Sequence, residues 1–412
     1  MLGTLGKRKN IRVAFIQPAY AKYRRPFFEK FSNYYDTTFF FIERSPPHLW
    51  DNHSQKFPSP LQLDGKKPVS HMVHPARERL SFRRLYLAKK YLDLLLLLII
   101  NNYEVIVTSI SYSPQTFISL LVSKIRKRKC VLWIEEWSII QPEPLISRLR
   151  FYLLIMLKFC VLRNVDAIVV EGTPQKKHLK NFNVPDEKIF FSNHCSLDYS
   201  RFESKNLKQK LNIGKGLVIL YLGRIIERKG LDVLIKAFSV IERERNDVFL
   251  VICGDGDFRS FCEDLVGQLR IKNVFFLGTV PEEEIASYFR TADIFVLPSC
   301  SKPHQKIKVE GWGLVINEAL SMGTPVVTTN VVGAARDLVK NGVNGYIVKN
   351  GDVNELYLAL RMILEDEKLR KTMGSNSRRI FESFNDFDKM FEGFRRAIDY
   401  VIDPHKRVSK FK

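Results

Sequence analysis

The feature that most constrains this chain is an alternation that runs twice. Short apolar runs of strand length are separated by longer amphipathic stretches of helix length, and the pattern starts afresh half-way along. In the first series, strands are expected at Ile11–Ile16, Thr38–Ile42, Val105–Ser109, Cys130–Ile134 and Ala167–Val170. Helices are expected between them at Arg24–Tyr35, Leu80–Asn101, Ser113–Arg126, Ser147–Arg163 and Pro174–Phe182. The second series opens near Leu217. Its strands are Val218–Leu222, Phe249–Cys253, Val274–Leu277, Ile294–Leu297, Val326–Thr328 and Gly345–Val348. Its helices are Leu231–Arg243, Phe258–Leu269, Glu282–Thr291, Val315–Ser321 and Ala334–Lys340. Each strand is followed by enough chain to cross back over the sheet, so neighbouring strands pair in parallel and the sheets are doubly wound.

A chain of 412 residues exceeds one ordinary core and fits two domains of roughly 200 residues each. The expected fold is therefore α/β, with two Rossmann-like domains. Residues 1–198 form the first domain and residues 199–385 the second, joined by a linker near Asn193–Asn212. Three further helices, Asn354–Arg361, Glu367–Arg379 and Asp388–Val401, close the chain. The last of them, within 386–412, is expected to cross back to the first domain ahead of a basic tail.

The six cysteines are scattered and form no C-x-x-C pair, which points to neither a zinc site nor a disulfide framework. A reduced, cytoplasmic setting fits them. No secretory signal is evident, and no segment reaches the ~18 apolar residues that span a bilayer. The run Leu94–Ile100 is read as a buried helix. The net charge of +21 is lopsided: residues 1–200 carry 31 Lys+Arg against 16 Asp+Glu, and the remainder 34 against 28. A basic first half suits an anionic membrane surface, nucleic acid, or simple solvation.

Two motifs carry chemistry. The first is Gly223-Arg224-Ile-Ile-Glu-Arg228-Lys229-Gly230. It places Arg224 and Lys229, with Arg228 adjacent, between a strand end and a helix start, where open α/β sheets bind ligands. Arg gives bidentate contacts and Lys a point charge, a combination suited to a diphosphate. The second is Glu310-Gly-Trp312-Gly313-Leu314-Val315-Ile-Asn-Glu318. A glycine loop leads into a helix whose first N–H groups, at Gly313, Leu314 and Val315, favour an anion. Glu310 in the loop and Glu318 on the helix can each accept several hydroxyl hydrogen bonds.

In this order the motifs resemble the retaining glycosyltransferases of the GT-B fold, glycosyltransferase family 4. The resemblance extends through Gly254-Asp255-Gly256, Ala292–Ser299, Glu318–Val327 and Gly342–Asp352, and so covers residues 217–360. In the first half only the layout and Asp166–Val170 match. The resemblance implies two domains facing each other across a cleft. It also implies a sugar transferred from a nucleotide-diphosphate sugar to a lipid-linked or polysaccharide acceptor, without metal or other cofactor. Arg224 and Lys229 would neutralise the diphosphate beside Gly223 and Gly254. Glu318 would hold the ribose, the backbone from Gly278 to Val280 would lie beside the base, and Glu310 with the Trp312–Val315 amides would hold the sugar. The departing phosphate oxygen would take the acceptor proton on the same face, so no residue is assigned as nucleophile.

The sequence departs from that family at three places. The usual glycine pair after the first strand reads Gln17-Pro18-Ala19-Tyr20. The loop that often carries a sugar-contacting histidine reads Glu135-Glu136-Trp137. The usual Asn-Gly at the domain junction reads Asn193-His194, with the histidine taken as structural. Lys302, His304, Lys306 and Lys308 precede Glu310 and suit an anion clamp or a plain surface loop. Amphipathic stretches Arg83–Ile100 and Arg148–Arg163 suggest docking on anionic lipid. A nucleotide-sugar epimerase on the same fold is the alternative enzyme. A nucleic-acid-binding protein has only the charge in its favour, and no nucleic-acid partner is expected.

Overall fold

The computed structural model describes residues 8–18, 20–42, 80–136, 145–301 and 310–403. Twelve strands form two six-stranded parallel sheets among these residues. The first sheet contains β1 (Arg8–Gln17), β2 (Tyr35–Phe41), β3 (Val105–Ser109), β4 (Lys129–Ile134), β5 (Ala167–Val170) and β6 (Ile189–Phe191), in the order β2-β1-β3-β4-β5-β6. The second contains β7 (Leu217–Leu222), β8 (Val248–Cys253), β9 (Val274–Gly278), β10 (Ile294–Leu297), β11 (Val326–Thr329) and β12 (Gly345–Val348), in the order β12-β11-β10-β7-β8-β9. The pattern of apolar runs does not signal β6. It is three residues long and takes its place only by pairing with β5.

Helices α1 (Arg25–Tyr34), α2 (Leu80–Ile100), α3 (Pro114–Ile125), α4 (Leu145–Asn164) and α5 (Thr173–Lys180) connect the first series. In the second, the connections are α6 (Leu231–Glu244), α7 (Arg259–Leu269), α8 (Ile285–Thr291), α9 (Val315–Ser321) and α10 (Ala335–Leu338). Then follow α11 (Val353–Glu365), α12 (Glu367–Phe384) and α13 (Phe387–Ile402). The central strands are buried on both faces, as the continuous apolar runs require.

Strand order fixes where ligands can bind. In each sheet the winding reverses once: between β1 and β3 in the first, and between β7 and β10 in the second. Loops leaving such a pair diverge and open a crevice at the strands' carboxyl ends. The two crevices face each other, because the loop after β4 meets the loop before α9: a side chain added at Gly311 would lie 3.6 Å from the Glu135 carbonyl.

Helix α13 belongs to the first domain by packing. Asp386 caps it, accepting from Asp388 N–H at 2.7 Å and Lys389 N–H at 3.3 Å. Its apolar stripe of Met390, Phe391, Phe394, Ala397, Ile398 and Val401 lies in one core with β1, β3, β4 and β5. Phe394 is fully buried, with ring centroids 5.0 Å from Phe27, 5.2 Å from Trp133 and 5.6 Å from Phe15.

The reading of Leu94–Ile100 as a buried helix is corrected. Among the described side chains of α2 only Leu94 and Leu98 are deeply buried, whereas Leu96 is 47% and Ile100 74% exposed. A seven-residue apolar run wraps round a helix, and only one stripe of it can face the sheet. No described helix is long and apolar enough to cross a membrane. All six cysteines are free thiols.

Candidate active site

The carboxyl edge of the second sheet is laced together by backbone. Gly223 N–H donates to the Cys253 carbonyl at 2.9 Å, and Gly254 N–H to the Gly278 carbonyl at 2.7 Å. A side chain on Gly254 would overlap the Gly223 carbonyl, so glycine is needed there for space. The β7 loop then makes a tight turn through Glu227–Lys229 into α6. Gly230 closes the turn at φ +66°, and Cys300 N–H donates to the Arg228 carbonyl at 2.9 Å, which ties the turn to the β10 loop.

That turn delivers the cations. Lys229 Nζ lies 2.6 Å and Arg228 Nη1 2.7 Å from the same oxygen, Glu310 Oε2. Burial pulls the Lys229 ammonium below its ordinary range, against the pull of Glu310. Burial alone would raise Glu310, but Lys229 and Arg228 outweigh it and hold the carboxyl below the usual carboxylate range. Arg224 is exposed beside them, and its field reaches both Lys229 and Tyr221. Two cations thus share one carboxylate, and the exposed Arg224 stands beside them at the crevice.

The Glu310 loop hangs on the segment after β11. Gly333 N–H donates to the Glu310 carbonyl at 3.2 Å and Ala334 N–H to the Trp312 carbonyl at 2.8 Å. Gly313 takes φ +89°, and a side chain there would press within 2.7 Å of Val332. Leu314 then caps α9, whose first-turn N–H groups have no acceptor within the helix. Glu318, one turn in, is half-buried, and its carboxyl is pushed up to about 7 by burial and by Glu282. Val280 is half-buried just past Gly278. The structure therefore gathers Gly223, Arg224, Lys229, Gly254, Val280, Glu310, Trp312, Gly313, Leu314, Val315 and Glu318 around one sheet edge. The geometry differs from the resemblance in one respect: the Glu310 carboxylate is held by Arg228 and Lys229. Lys302, His304, Lys306, Lys308 and Trp137 lie outside the described residues.

The facing edge is built differently. The Arg24 guanidinium lies 4.5 Å over Trp133, with Nη2 2.9 Å from Glu135 Oε1 and 3.6 Å from Glu171 Oε1. Glu171 Oε1 is in turn 2.7 Å from His194 Nδ1. Burial pushes Glu171 up to about 8 and His194 down to about 3, so both groups are mainly uncharged at neutral pH. A second cluster lies further along the edge. Lys158 Nζ is 3.0 Å from His178 Nε2 and 3.6 Å from Glu136, and Glu136 also accepts from the Ser111 backbone N–H at 3.0 Å and from its hydroxyl. Next to Ser111, Ile110 sits at φ +67°, a costly conformation for a β-branched residue, and it stands at the switch point of the first sheet.

Sequence reasoning did not name Tyr23, Arg24, Gly172, Glu171, Lys158 or Asn317, and it mentioned Arg228 only as a neighbour. Glu171 follows β5 as Glu135 and Glu136 follow β4, so its position at a strand's carboxyl end was the available signal. Across the cleft, Thr173 N–H donates to Asp337 Oδ2 at 3.0 Å and its hydroxyl to Asp337 Oδ1, which joins α5 to α10.

Comparison with known proteins adds the following. Residues 203–380 match the family described as glycosyl transferases group 1. An uncharacterized glycosyltransferase of Methanocaldococcus jannaschii is 29% identical over 229 residues, 53% of this chain and 56% of that protein. The capsular polysaccharide biosynthesis glycosyltransferase CapM of Staphylococcus aureus is 29% identical over 242 residues, 57% of this chain and 61% of that one. The chain thus spans little more than half the length of these relatives. Among solved structures, Anabaena HepE in complex with UDP superposes with a TM-score of 0.66 at 16% identity, covering 95% of this chain and 100% of that one. At that identity the likeness concerns the fold.

Proposed function

Because residues 203–380 belong to the glycosyl transferases group 1 family and the two sheets form a GT-B fold, we propose that this chain is a retaining glycosyltransferase. It moves a hexose-type unit from a nucleotide-diphosphate sugar to a glycan or lipid-linked acceptor in glycan or cell-envelope biosynthesis. The observation that carries the reading is the cluster of cations at the second switch point: the turn between Gly223 and Gly230 brings together Arg224, Arg228 and Lys229, the last two on Glu310. A donor diphosphate entering there completes the neutralisation. Its phosphates meet Arg224 and Lys229 near Gly223 and Gly254, its sugar meets Glu310 and the Trp312–Val315 amides, and its ribose meets Glu318.

In the reaction, the bond from the sugar's anomeric carbon to the phosphate oxygen breaks and one to the acceptor oxygen forms on the same face. The acceptor proton passes to the departing phosphate. The cations stabilise the charge that develops on the diphosphate, which is work a metal ion does in other transferases. Chelation with EDTA therefore leaves turnover unchanged. Thermal-shift measurements with UDP-, GDP- and ADP-sugars test the donor reading, because a ligand that binds the folded state raises its melting temperature by mass action. A protein stabilised by none of the three is not this enzyme.

The acceptor side includes the membrane. Helices α2, α3 and α4 lie side by side. They expose Leu92, Leu96 and Ile100 on α2, Leu121 and Ile125 on α3, and Tyr152, Leu153 and Met156 on α4. Exposed Lys124, Arg126 and Lys127 stand at the end of α3. Apolar side chains fringed by cations suit peripheral docking on an anionic leaflet, in keeping with a lipid-linked acceptor on the cytoplasmic face. Co-sedimentation with phosphatidylserine vesicles at low salt, but not with neutral vesicles, is the expected result; no binding to either rules the docking out.

A further inference from the structure

Four aromatic rings from four separate segments lie near-parallel in a row across the domain junction. Tyr23 comes from the turn after β1, His194 from the segment joining the two sheets, Trp312 from the Glu310 loop, and Phe384 from the end of α12. The Tyr23 and His194 centroids are 6.0 Å apart with 18° between planes, His194 and Trp312 5.6 Å with 5°, and Trp312 and Phe384 5.8 Å with 16°. The row is also fastened by hydrogen bonds. Tyr23 Oη lies 3.2 Å from His194 Nε2; Trp312 Nε1 donates to Asn317 Oδ1 at 2.8 Å; Asn317 Nδ2 donates to the His194 carbonyl at 2.8 Å. Each end is held in turn. Arg24 sits 5.3 Å over the Tyr23 ring, and the Phe384 carbonyl accepts from Asn193 Nδ2 at 2.7 Å.

We propose that Tyr23 and His194 are positioning residues for the donor-binding loop, and that the ring row makes the geometry of that loop depend on how the two domains are oriented. The proposal rests on the reading of residues 310–315 as donor-binding. Trp312 is 4% exposed, so its place is set by what it packs against. One neighbour is the β5 loop of the first domain: a side chain added at Gly172 would come within 2.7 Å of the Trp312 ring. Another is His194, standing where the resembled family has glycine, which could not form the row. Tyr23 touches the row only through His194 and belongs wholly to the first domain. If the domains rotate apart, His194 loses one ring or the other. Trp312, two residues from Glu310 and next to Gly313, is then no longer fixed. Domain orientation and nucleotide affinity are linked, and whatever favours one favours the other.

The test titrates the full chain with UDP, GDP and ADP and compares the dissociation constant of the tightest binder across variants, with melting temperatures recorded for each. His194→Ala removes two ring contacts and weakens binding about tenfold. His194→Phe keeps a ring in the row and stays within about twofold of the wild type. Tyr23→Leu, which removes the outer ring of the row, weakens binding about threefold. A folded His194→Ala protein that binds as tightly as the wild type overturns the proposal, as does His194→Phe behaving like His194→Ala. Should His194→Ala fail to fold, an unchanged dissociation constant in Tyr23→Leu overturns it instead. A wild-type chain that binds none of the three nucleotides removes the donor reading and this proposal with it.

Discussion

The two edges that face each other across the cleft are opposites in charge economy. On the second sheet, the turn sets Arg224, Arg228 and Lys229 against Glu227 and Glu310, so it keeps a positive surplus of one. On the first, Arg24 and Lys158 stand against Glu135, Glu136 and Glu171, while His178 and His194 are held neutral by burial. The charged groups of that edge pair with one another. A surplus of one sign awaits a ligand of the other, and a balanced network suits a hydroxyl-rich acceptor that needs no counter-charge. The difference teaches where function and stability should separate.

Three measurements press on that contrast. Arg24→Ala removes a buried side chain that pairs with Glu135 and packs over the Trp133 and Tyr23 rings, and the expected loss of stability is about 3–5 kcal/mol. Denaturant unfolding measures it, and a loss below about 1 kcal/mol would mean that the first edge is not self-satisfying. Arg224→Ala or Lys229→Ala lowers kcat/KM by about 10²–10³-fold, or about 2.7–4 kcal/mol, with little change in melting temperature for the exposed Arg224. Near-normal turnover in both variants would remove the second edge from the donor site.

The smallest expected effect is a pH dependence. Glu171 rises in the folded state to about 8 and Glu318 to about 7, both from 4.5. A folded pKa above the unfolded one gives stability that is complete below pH 4.5 and is lost as pH rises through the folded value. His194, lowered from 6.5 to about 3, contributes in the opposite sense, but only below its unfolded value. Between pH 6.5 and 8.5, then, the melting temperature falls as pH rises. Glu171→Gln flattens most of that slope and Glu318→Gln a smaller part. A wild-type slope of the opposite sign would contradict the burial of both carboxyls.

How much was legible in advance follows from how each feature is encoded. The strands β7, β8, β10 and β11 of the second sheet are apolar runs buried on both faces, and their hydrophobicity announces them. β6 is three residues long and depends on β5 for its hydrogen bonds, so nothing local marks it. The cations of the second edge lie within six residues, Arg224 to Lys229, in a turn that two glycines delimit, and that contiguity made them visible. The first edge draws on the turn after β1, the loops after β3, β4 and β5, and a lysine on α4. Its members are ordinary polar residues when seen one at a time. The apolar run of α2 misled because hydrophobicity reports a preference for leaving water and not what covers each face of a helix.

By itself the sequence determined the two parallel sheets, the helices between them, and the donor-side motif, because strand and helix periods and glycine-bounded turns are local properties of the chain. Only the tertiary structure decided that Glu310 is shared by Arg228 and Lys229, that Arg24 and Glu171 are buried together, and that Tyr23, His194, Trp312 and Phe384 line up across the junction. Those contacts join residues from 72 to 171 positions apart. Their strength comes from burial and exact approach, which exist only once both domains have folded and met.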